Sequence, residues 1–150
     1  MFLDQPALSQ PATENYSASN SHRRLLEIEK RVVTICQDLT QIRKSLDISD
    51  PDKEFVVDLW IACQTTADYV SNAVAVLWLY TNMSFGTDRK KVENYVGELF
   101  KNVLAAHLEV NIEQTNFAIA NTKKPGIVST ATQLKDAIRQ AIDVLNAVRL

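Results

Sequence analysis

Apolar residues recur every three or four positions in one early segment of the chain, through three heptads. They are Leu25, Ile28, Val32, Ile35, Leu39, Ile42 and Leu46. This spacing places the apolar side chains on one face of a helix and indicates a helix that packs lengthwise against others. The 150 residues include three Gly and four Pro, where average usage would give roughly 18. The sequence therefore predicts a helical domain rather than a turn-rich β fold or a collagen-like chain.

The next two helices are predicted by the same spacing. The second is expected from Pro51, after the capping residue Asp50, to about Ser84, because a proline needs no N–H partner in the first turn. The third is expected over residues 89–122, after a joint in which Gly86 is left-handed and Asp88 caps the helix. The predicted core stripe of the second helix is Val56, Leu59, Cys63, Thr66, Val70, Ala73, Leu77 and Tyr80. That of the third is Val92, Val96, Leu99, Val103, Ala106, Val110 and Phe117.

The last part of the chain predicts a fourth helix, which completes a bundle. It is expected from about Thr130, with Gln133 in capping-box relation to it. Four amphipathic helices joined by short turns place sequential neighbours antiparallel. The predicted fold class is all-α, a four-helix up-and-down bundle over residues 21–150 with long central helices and coiled-coil-like packing. Residues 1–20 hold Pro6, Pro11 and a Ser/Asn/Thr-rich run without apolar periodicity, so a flexible tail is expected there.

Charge and cysteine usage set expectations about partners and compartment. A net charge of −2 gives no strong field for nucleic acid or an anionic membrane, so nucleic acid is an unfavoured partner. Cys36 and Cys63 form neither a C-x-x-C pair nor a disulfide framework, which favours a reducing compartment. We interpret both as small core residues. A single intramolecular disulfide between them is the alternative. We expect a cytoplasmic protein with no membrane association, because the N-terminus lacks a secretory-signal pattern and no unbroken apolar run reaches roughly twenty residues.

Several kinds of active site are excluded by the motifs that the sequence lacks. Two histidines and no Glu-x-x-His pair argue against a helical metal centre. Neither a P-loop nor a Gly-x-Gly-x-x-Gly turn, a Gly-x-Ser-x-Gly elbow or a His-Glu-x-x-His motif occurs. We therefore expect no cofactor and no metal.

One short segment carries a possible catalytic pattern. Lys101-Asn102-Val103-Leu104-Ala105-Ala106-His107 resembles the Arg-Asn-x4-His motif of HEPN-type ribonucleases, with lysine in place of the arginine. Those enzymes are helical bundles in which arginine and histidine act on RNA at a dimer cleft, so the resemblance implies a catalytic set of Lys101, Asn102 and His107. Lysine lacks the planar fork that holds a phosphate bidentately, which weakens the match. The other interpretation of His107 is a partly buried histidine hydrogen-bonded within its own helix.

The end of the second helix is unusually rich in large apolar residues. Its predicted length exceeds that of the flanking helices, so part of its apolar surface is expected to lie uncovered. A homodimer can bury such a patch twice with one surface. The expected oligomer interface consists of Ile61, Val76, Leu79, Met83 and Phe85. Alternatively, helix kinks or the N-terminal tail cover this patch.

Cationic residues are predicted to gather at one end of the bundle. They are Arg23, Arg24, Arg89, Lys90 and Lys91, together with Arg149. One interpretation is an anion-binding site. The other is a solvated end whose charges are offset by Glu27, Asp88 and Glu93.

Two residues do not fit the helical pattern of the third helix. Glu113 occupies a core position, so it either marks a polar pocket with Gln114 or Asn116 or faces solvent beyond the ends of shorter helices. Gly97 lies inside the helix, where a close crossing with another helix, in the bundle or across a dimer, would explain it.

These features lead to two hypotheses about function. The first is a non-enzymatic interaction or regulatory protein that self-associates through its second and third helices and can take a further protein partner. The second is a HEPN-like ribonuclease, or an inactive descendant of one, that acts on RNA.

Overall fold

A computed structural model describes residues 16–150, which form the predicted four-helix bundle. The helices are α1 (Ala18–Ser45), α2 (Lys53–Asn82), α3 (89–121) and α4 (Pro125–Ala147). The third consists of an α-helical segment Arg89–Glu98, a π-helical segment Leu99–Leu104 and a second α-helical segment Ala105–Asn121. α1 and α3 each pack mainly against α2 and α4, which gives the up-and-down arrangement expected from short connections.

The heptad stripe of α1 forms its core face, as predicted. Its first five members are buried, and the last two are half-buried. α1 begins at Ala18, three residues before the expected start, because the Ser17 hydroxyl oxygen accepts a hydrogen bond from the Asn20 N–H at 3.2 Å. Residues 18–20 are therefore helical, and the expectation of a flexible segment at residues 1–15 lies outside the described residues.

α2 buries all eight residues of its predicted stripe, but it begins later than expected. The helix begins at Lys53, because Asp50 folds the preceding segment into a turn in which its carboxylate accepts the Asp52 N–H at 2.9 Å. Pro51 therefore belongs to that turn and not to the helix. At the other end, α2 stops at Asn82 rather than Ser84 because Met83 is extended.

The joint between α2 and α3 is partly as predicted. Gly86 has a φ of +55°, the left-handed conformation expected of it. The Asp88 side chain makes no capping hydrogen bond, because a short 3₁₀ turn over Gly86–Asp88 leads directly into α3 with helical backbone angles.

α4 begins at Pro125, five residues before the predicted start at Thr130. Pro125 occupies the first helical turn, where its missing N–H costs nothing. The Thr130 hydroxyl donates to the Gly126 carbonyl at 3.0 Å, and the Gln133 amide lies 3.5 Å from the Ser129 hydroxyl. The predicted capping box is therefore wrong, since both residues lie in the interior of the helix.

The core face of α3 is shifted by one residue from the predicted one. Val103, Ala106, Val110 and Phe117 are exposed, whereas Leu104 at the end of the π-helical segment and six residues after it are buried. These residues are Ala105, Leu108, Asn111, Ile112, Thr115 and Ala118. A π-helical turn holds one more residue than an α-helical turn, so it advances the face by one position, or about 100° of rotation. Heptad counting through an uninterrupted α-helix therefore gave the wrong face.

The same shift accounts for Glu113, which is exposed. The solvent-facing interpretation is correct, but its cause is the rotation of the helix and not the ends of its neighbours. At Gly97, a methyl group would meet nothing within 4 Å, so the close crossing expected within the bundle is wrong. α1 has 28 residues and α2 has 30, so the expected length mismatch between these two is nearly absent.

None of the helices in residues 16–150 combines the length and apolar character needed to cross a bilayer.

Candidate interaction surface

Apolar side chains are exposed along the outer seam between α2 and α3, which we call the α2–α3 face. Near the start of α2, Phe55 packs against Phe117, with ring centroids 5.8 Å apart. Farther along, Ile61 and Val110 line one groove. The rings of Tyr69 and His107 then follow, 5.3 Å apart. These contacts follow the antiparallel pairing of the helices, so the seam is continuous from one end toward the other.

The seam ends in an apolar groove of about 230 Å³ between the end of α2 and the start of α3, which we call the tip groove. It is lined by Val76, Leu79, Tyr80, Met83, Phe85, Val92, Tyr95 and Val96. Tyr80 closes its base: the side chain is buried, its hydroxyl donates to the Leu150 carbonyl at 2.9 Å, and its ring packs on Phe85 at 6.1 Å. Burial raises the pKa of the Tyr80 hydroxyl. The groove therefore has a fixed floor and an exposed apolar rim.

The predicted interface residues fall at two places on the α2–α3 face. Val76, Leu79, Met83 and Phe85 lie together in the tip groove. Ile61 lies apart from them, in the groove that it shares with Val110.

Sequence analysis missed four exposed residues of α3: Tyr95, Val103, Val110 and Phe117. The last three were assigned to the core by the heptad count. A competing signal was present in Phe100, Leu104, Leu108 and Ile112, which recur every four positions and are all buried. Glu113 at a supposed core position pointed to the same change of face.

A buried amide fixes α3 against α2 beneath this face. The Asn111 side-chain amide lies 2.9 Å from the Thr66 hydroxyl, 3.0 Å from that of Thr65 and 3.3 Å from the Ala62 carbonyl. Two amide hydrogens are thus shared among three acceptors on α2. Because a buried amide needs such partners, this contact favours one register of α3 on α2.

The three residues of the ribonuclease-like motif are exposed on α3. The Asn102 amide donates to the Glu98 carboxylate, and the His107 Nδ1 lies 2.6 Å from the Val103 carbonyl oxygen. Within residues 16–150, no hydrogen bond joins Lys101, Asn102 and His107 to one another. Since a carbonyl can only accept, Nδ1 of His107 carries a proton and Nε2 is the nitrogen left to accept one. The local hydrogen bond expected for His107 is present, although the ring is exposed rather than partly buried.

The cationic residues at the start of α3 lie at one end of the bundle, and some of them contact acidic and aromatic side chains. The Glu93 carboxylate lies 3.7 Å from both Arg89 and Lys90. The Arg89 guanidinium also stacks 4.5 Å from the Tyr80 ring centroid. Lys91 is exposed. Glu93 thus offsets two of these cations, in the way that the solvated-end interpretation requires.

The other two cations of this end lie at the start of α1. Arg23 donates to the Asn20 side-chain oxygen at 2.5 Å, and the Arg24 guanidinium stacks 5.4 Å from the Tyr16 ring centroid. The start of α1 lies beside the residues that follow α4 here, since Ser17 pairs with Arg149 in an isolated bridge. Anion binding at this end stays a prediction.

Across the described part of the chain, no three His, Cys, Asp or Glu side chains are placed to hold a metal ion. The fold and the surface thus define a four-helix bundle with exposed apolar side chains along the seam between α2 and α3. Comparisons with known protein families, with curated proteins and with solved structures give no match. Function is therefore inferred from the surface itself.

Proposed function

We propose that the protein is a non-enzymatic interaction module that forms a homodimer through its α2–α3 face. The observation that supports this most directly is the exposure of Val103, Val110 and Phe117, which is 42%, 59% and 56%. Together with the tip groove, these side chains place exposed apolar groups at several points along the seam. Large exposed apolar patches on a protein surface mark interaction sites.

The dimensions of the face fit a second copy of the chain. α2 has 30 residues, a length of about 45 Å, and two adjacent helices are about 20 Å wide. The face therefore covers about 900 Å², close to the ~800 Å² that each partner buries in a standard interface. A two-fold axis lets one patch serve both subunits, so the dimer needs no second surface.

The arrangement of polar groups also fits an interface. The groove in the middle of the seam is lined by the apolar Ile61 and Val110 and by the polar Asp58, Thr65 and Gln114. Protein–protein interfaces combine apolar contact with hydrogen-bonding groups in this way. A second protein with a similar pair of helices could compete for the same face. The proposal keeps the cytoplasmic location that the cysteine usage predicts.

The proposal is tested by a charge placed in the centre of the seam and by the same charge on another face. Val110→Lys is the test variant; the exposed Glu109 and Glu113 lie nearby on α3, so its helix tolerates lysine. Val33→Lys is the matched control, because Val33 is 44% exposed on α1, outside the α2–α3 face.

Sedimentation velocity over a concentration series gives the dimer dissociation constant of each protein. Each dimer loses the burial of two Val110 side chains, about 1 kcal/mol each, so the constant should rise at least about 30-fold. Val33→Lys should leave it unchanged. Equal constants for the wild type and Val110→Lys would contradict the proposal.

The ribonuclease hypothesis remains as a second candidate on one observation. His107 is exposed on the proposed dimer face, and its Nδ1 hydrogen bond leaves Nε2 able to accept a proton. The test is cleavage of an RNA by the purified chain. Cleavage that disappears in His107→Ala, with the fold retained, would support this function. Cleavage that persists in the variant, or no cleavage by the wild type, would exclude His107 as a catalyst.

A further inference from the structure

Two cysteines face each other across the interface of α1 and α2, away from the α2–α3 face. Cys36 lies on α1 and Cys63 on α2, and both are buried. The Cys63 thiol lies 3.3 Å from the Val32 carbonyl, which is one helical turn before Cys36. The Cys63 thiol thus lies beside the turn of α1 that carries Cys36, and the two thiols are close enough to shift each other's pKa. The single proton of the Cys63 thiol can therefore point to the carbonyl or to the Cys36 sulfur.

The two sulfurs differ in chemical character. The interaction with the neighbouring Cys63 thiol lowers the pKa of Cys36 from its ordinary value. The hydrogen bond with Cys36 and burial raise the pKa of Cys63. The thiolate is the reactive form of cysteine, and Cys36, unlike Cys63, lines a groove that is open to solvent, so both observations favour Cys36 as the sulfur that reacts first.

A groove between α1 and α2 leads from solvent to Cys36. It has a volume of about 170 Å³, and Cys36 lines it together with Val33, Gln37, Thr40, Gln64 and Ala67. The Thr40 hydroxyl donates to the Cys36 carbonyl at 2.9 Å and accepts from the Trp60 indole N–H at 3.2 Å, which holds this side of the groove in place. Gln37 and Gln64 add polar groups to a lining that is otherwise largely apolar. The space is sufficient for a small polar molecule, since a water molecule takes about 30 Å³ of liquid.

We propose that Cys36 and Cys63 form a peroxide-reactive dithiol site that closes into a disulfide between α1 and α2. The Cys36 thiolate attacks one oxygen of hydrogen peroxide, the O–O bond breaks, and the departing hydroxide takes up a proton to become water. Cys36 is then a sulfenic acid, oxidised by two electrons. The Cys63 sulfur attacks the Cys36 sulfur; the S–O bond breaks, and the hydroxide leaves as water with the Cys63 proton. Two thiols and one peroxide thus give one disulfide and two waters.

The test is peroxide treatment of the reduced full-length chain, followed by denaturation and alkylation of the remaining thiols. The expected product is a monomeric chain that has lost two hydrogens and takes up no alkylating reagent, and a reductant restores two alkylation sites. Peptide mapping distinguishes this product from oxidation of Met1 or Met83. Two alkylated cysteines after the treatment, or a disulfide between chains, would overturn the proposal.

Single-cysteine variants test the order of the two steps. Cys63→Ser should stop at a sulfenic acid on Cys36, which dimedone traps, and Cys36→Ser should keep a reduced Cys63. Equal dimedone labelling of the two variants would overturn the assignment of Cys36 as the nucleophile. Should a serine variant fail to fold, alanine takes its place, and the wild-type mass measurement tests the disulfide without any substitution.

Discussion

Deletion of one residue from the π-helical segment tests whether that segment sets the exposed face of α3. Asn102 lies within the segment and is exposed. Val96 and Leu104 are both buried, and they are eight positions apart. In an uninterrupted α-helix, eight steps of 100° would leave them about 80° apart around the axis, whereas seven steps leave about 20°. Removal of Asn102 therefore lets a regular α-helix bury both residues.

The control is deletion of Glu109, which is also exposed but lies in the regular helix after the π-helical segment. After this deletion, one of two segments of α3 must rotate away from the core. It is either the segment after position 109 or the segment between the π-helical residues and position 109. The first case exposes Ile112 and breaks the hydrogen bonds of Asn111, and the second exposes Leu104 and Leu108. Each buried Leu or Ile contributes about 2 kcal/mol and each hydrogen bond about 1 kcal/mol. The expected loss in unfolding free energy is about 4 kcal/mol in both cases.

Urea denaturation followed by circular dichroism measures both variants, at one protein concentration because dimer formation shifts the apparent stability. We expect the chain without Asn102 to match or exceed the wild type and the chain without Glu109 to be strongly destabilised. Equal losses in the two variants would refute the π-helical register shift.

Three further outcomes are expected from the contacts described above. Gly97→Ala should raise the unfolding free energy by up to about 1 kcal/mol in urea denaturation, since a methyl group meets nothing within 4 Å; a loss would show that Gly97 is needed. Asn111→Ala should lower it by about 2 kcal/mol in the same assay, and an unchanged value would show that its hydrogen bonds do not hold α3 on α2. The Asp52 N–H and the Lys124 ammonium lower the pKa of Asp50, so the stability that Asp50 contributes is present above its ordinary pKa and is lost as the pH falls through the lowered value. Thermal melts from about pH 2 to pH 6 should therefore show a smaller acid-induced loss in Asp50→Asn than in the wild type, and parallel curves would contradict this.

The sequence predicted α1 and α2 well because their apolar spacing is unbroken. Every residue of the α2 stripe, from Val56 to Tyr80, is buried. Helix ends were predicted less well, since they depend on local choices such as the turn at Asp50 and the start of α4 at Pro125. Several oxygen-bearing residues near a helix start can cap it, and periodicity does not select among them.

The candidate site was predicted only in part, for a different reason. Leu79 lies on the regular helix α2 and Met83 directly follows its end, so their exposure followed from the spacing. Val103 lies in the π-helical segment, and Val110 and Phe117 lie after it. The spacing of apolar residues does not directly predict a π-helical turn. The tertiary packing of Phe100 and Leu104 in the core decides the register, and each predicted core residue after this point moves outward by one position.

The mass of the wild-type chain in solution tests the central claim, that the α2–α3 face joins two copies. The chain has a mass of 16.9 kDa. Sedimentation equilibrium over the micromolar range should give twice that mass, and the average mass of the Val110→Lys variant should fall toward 16.9 kDa at the same concentrations. A wild-type protein that stays at 16.9 kDa throughout would contradict the account.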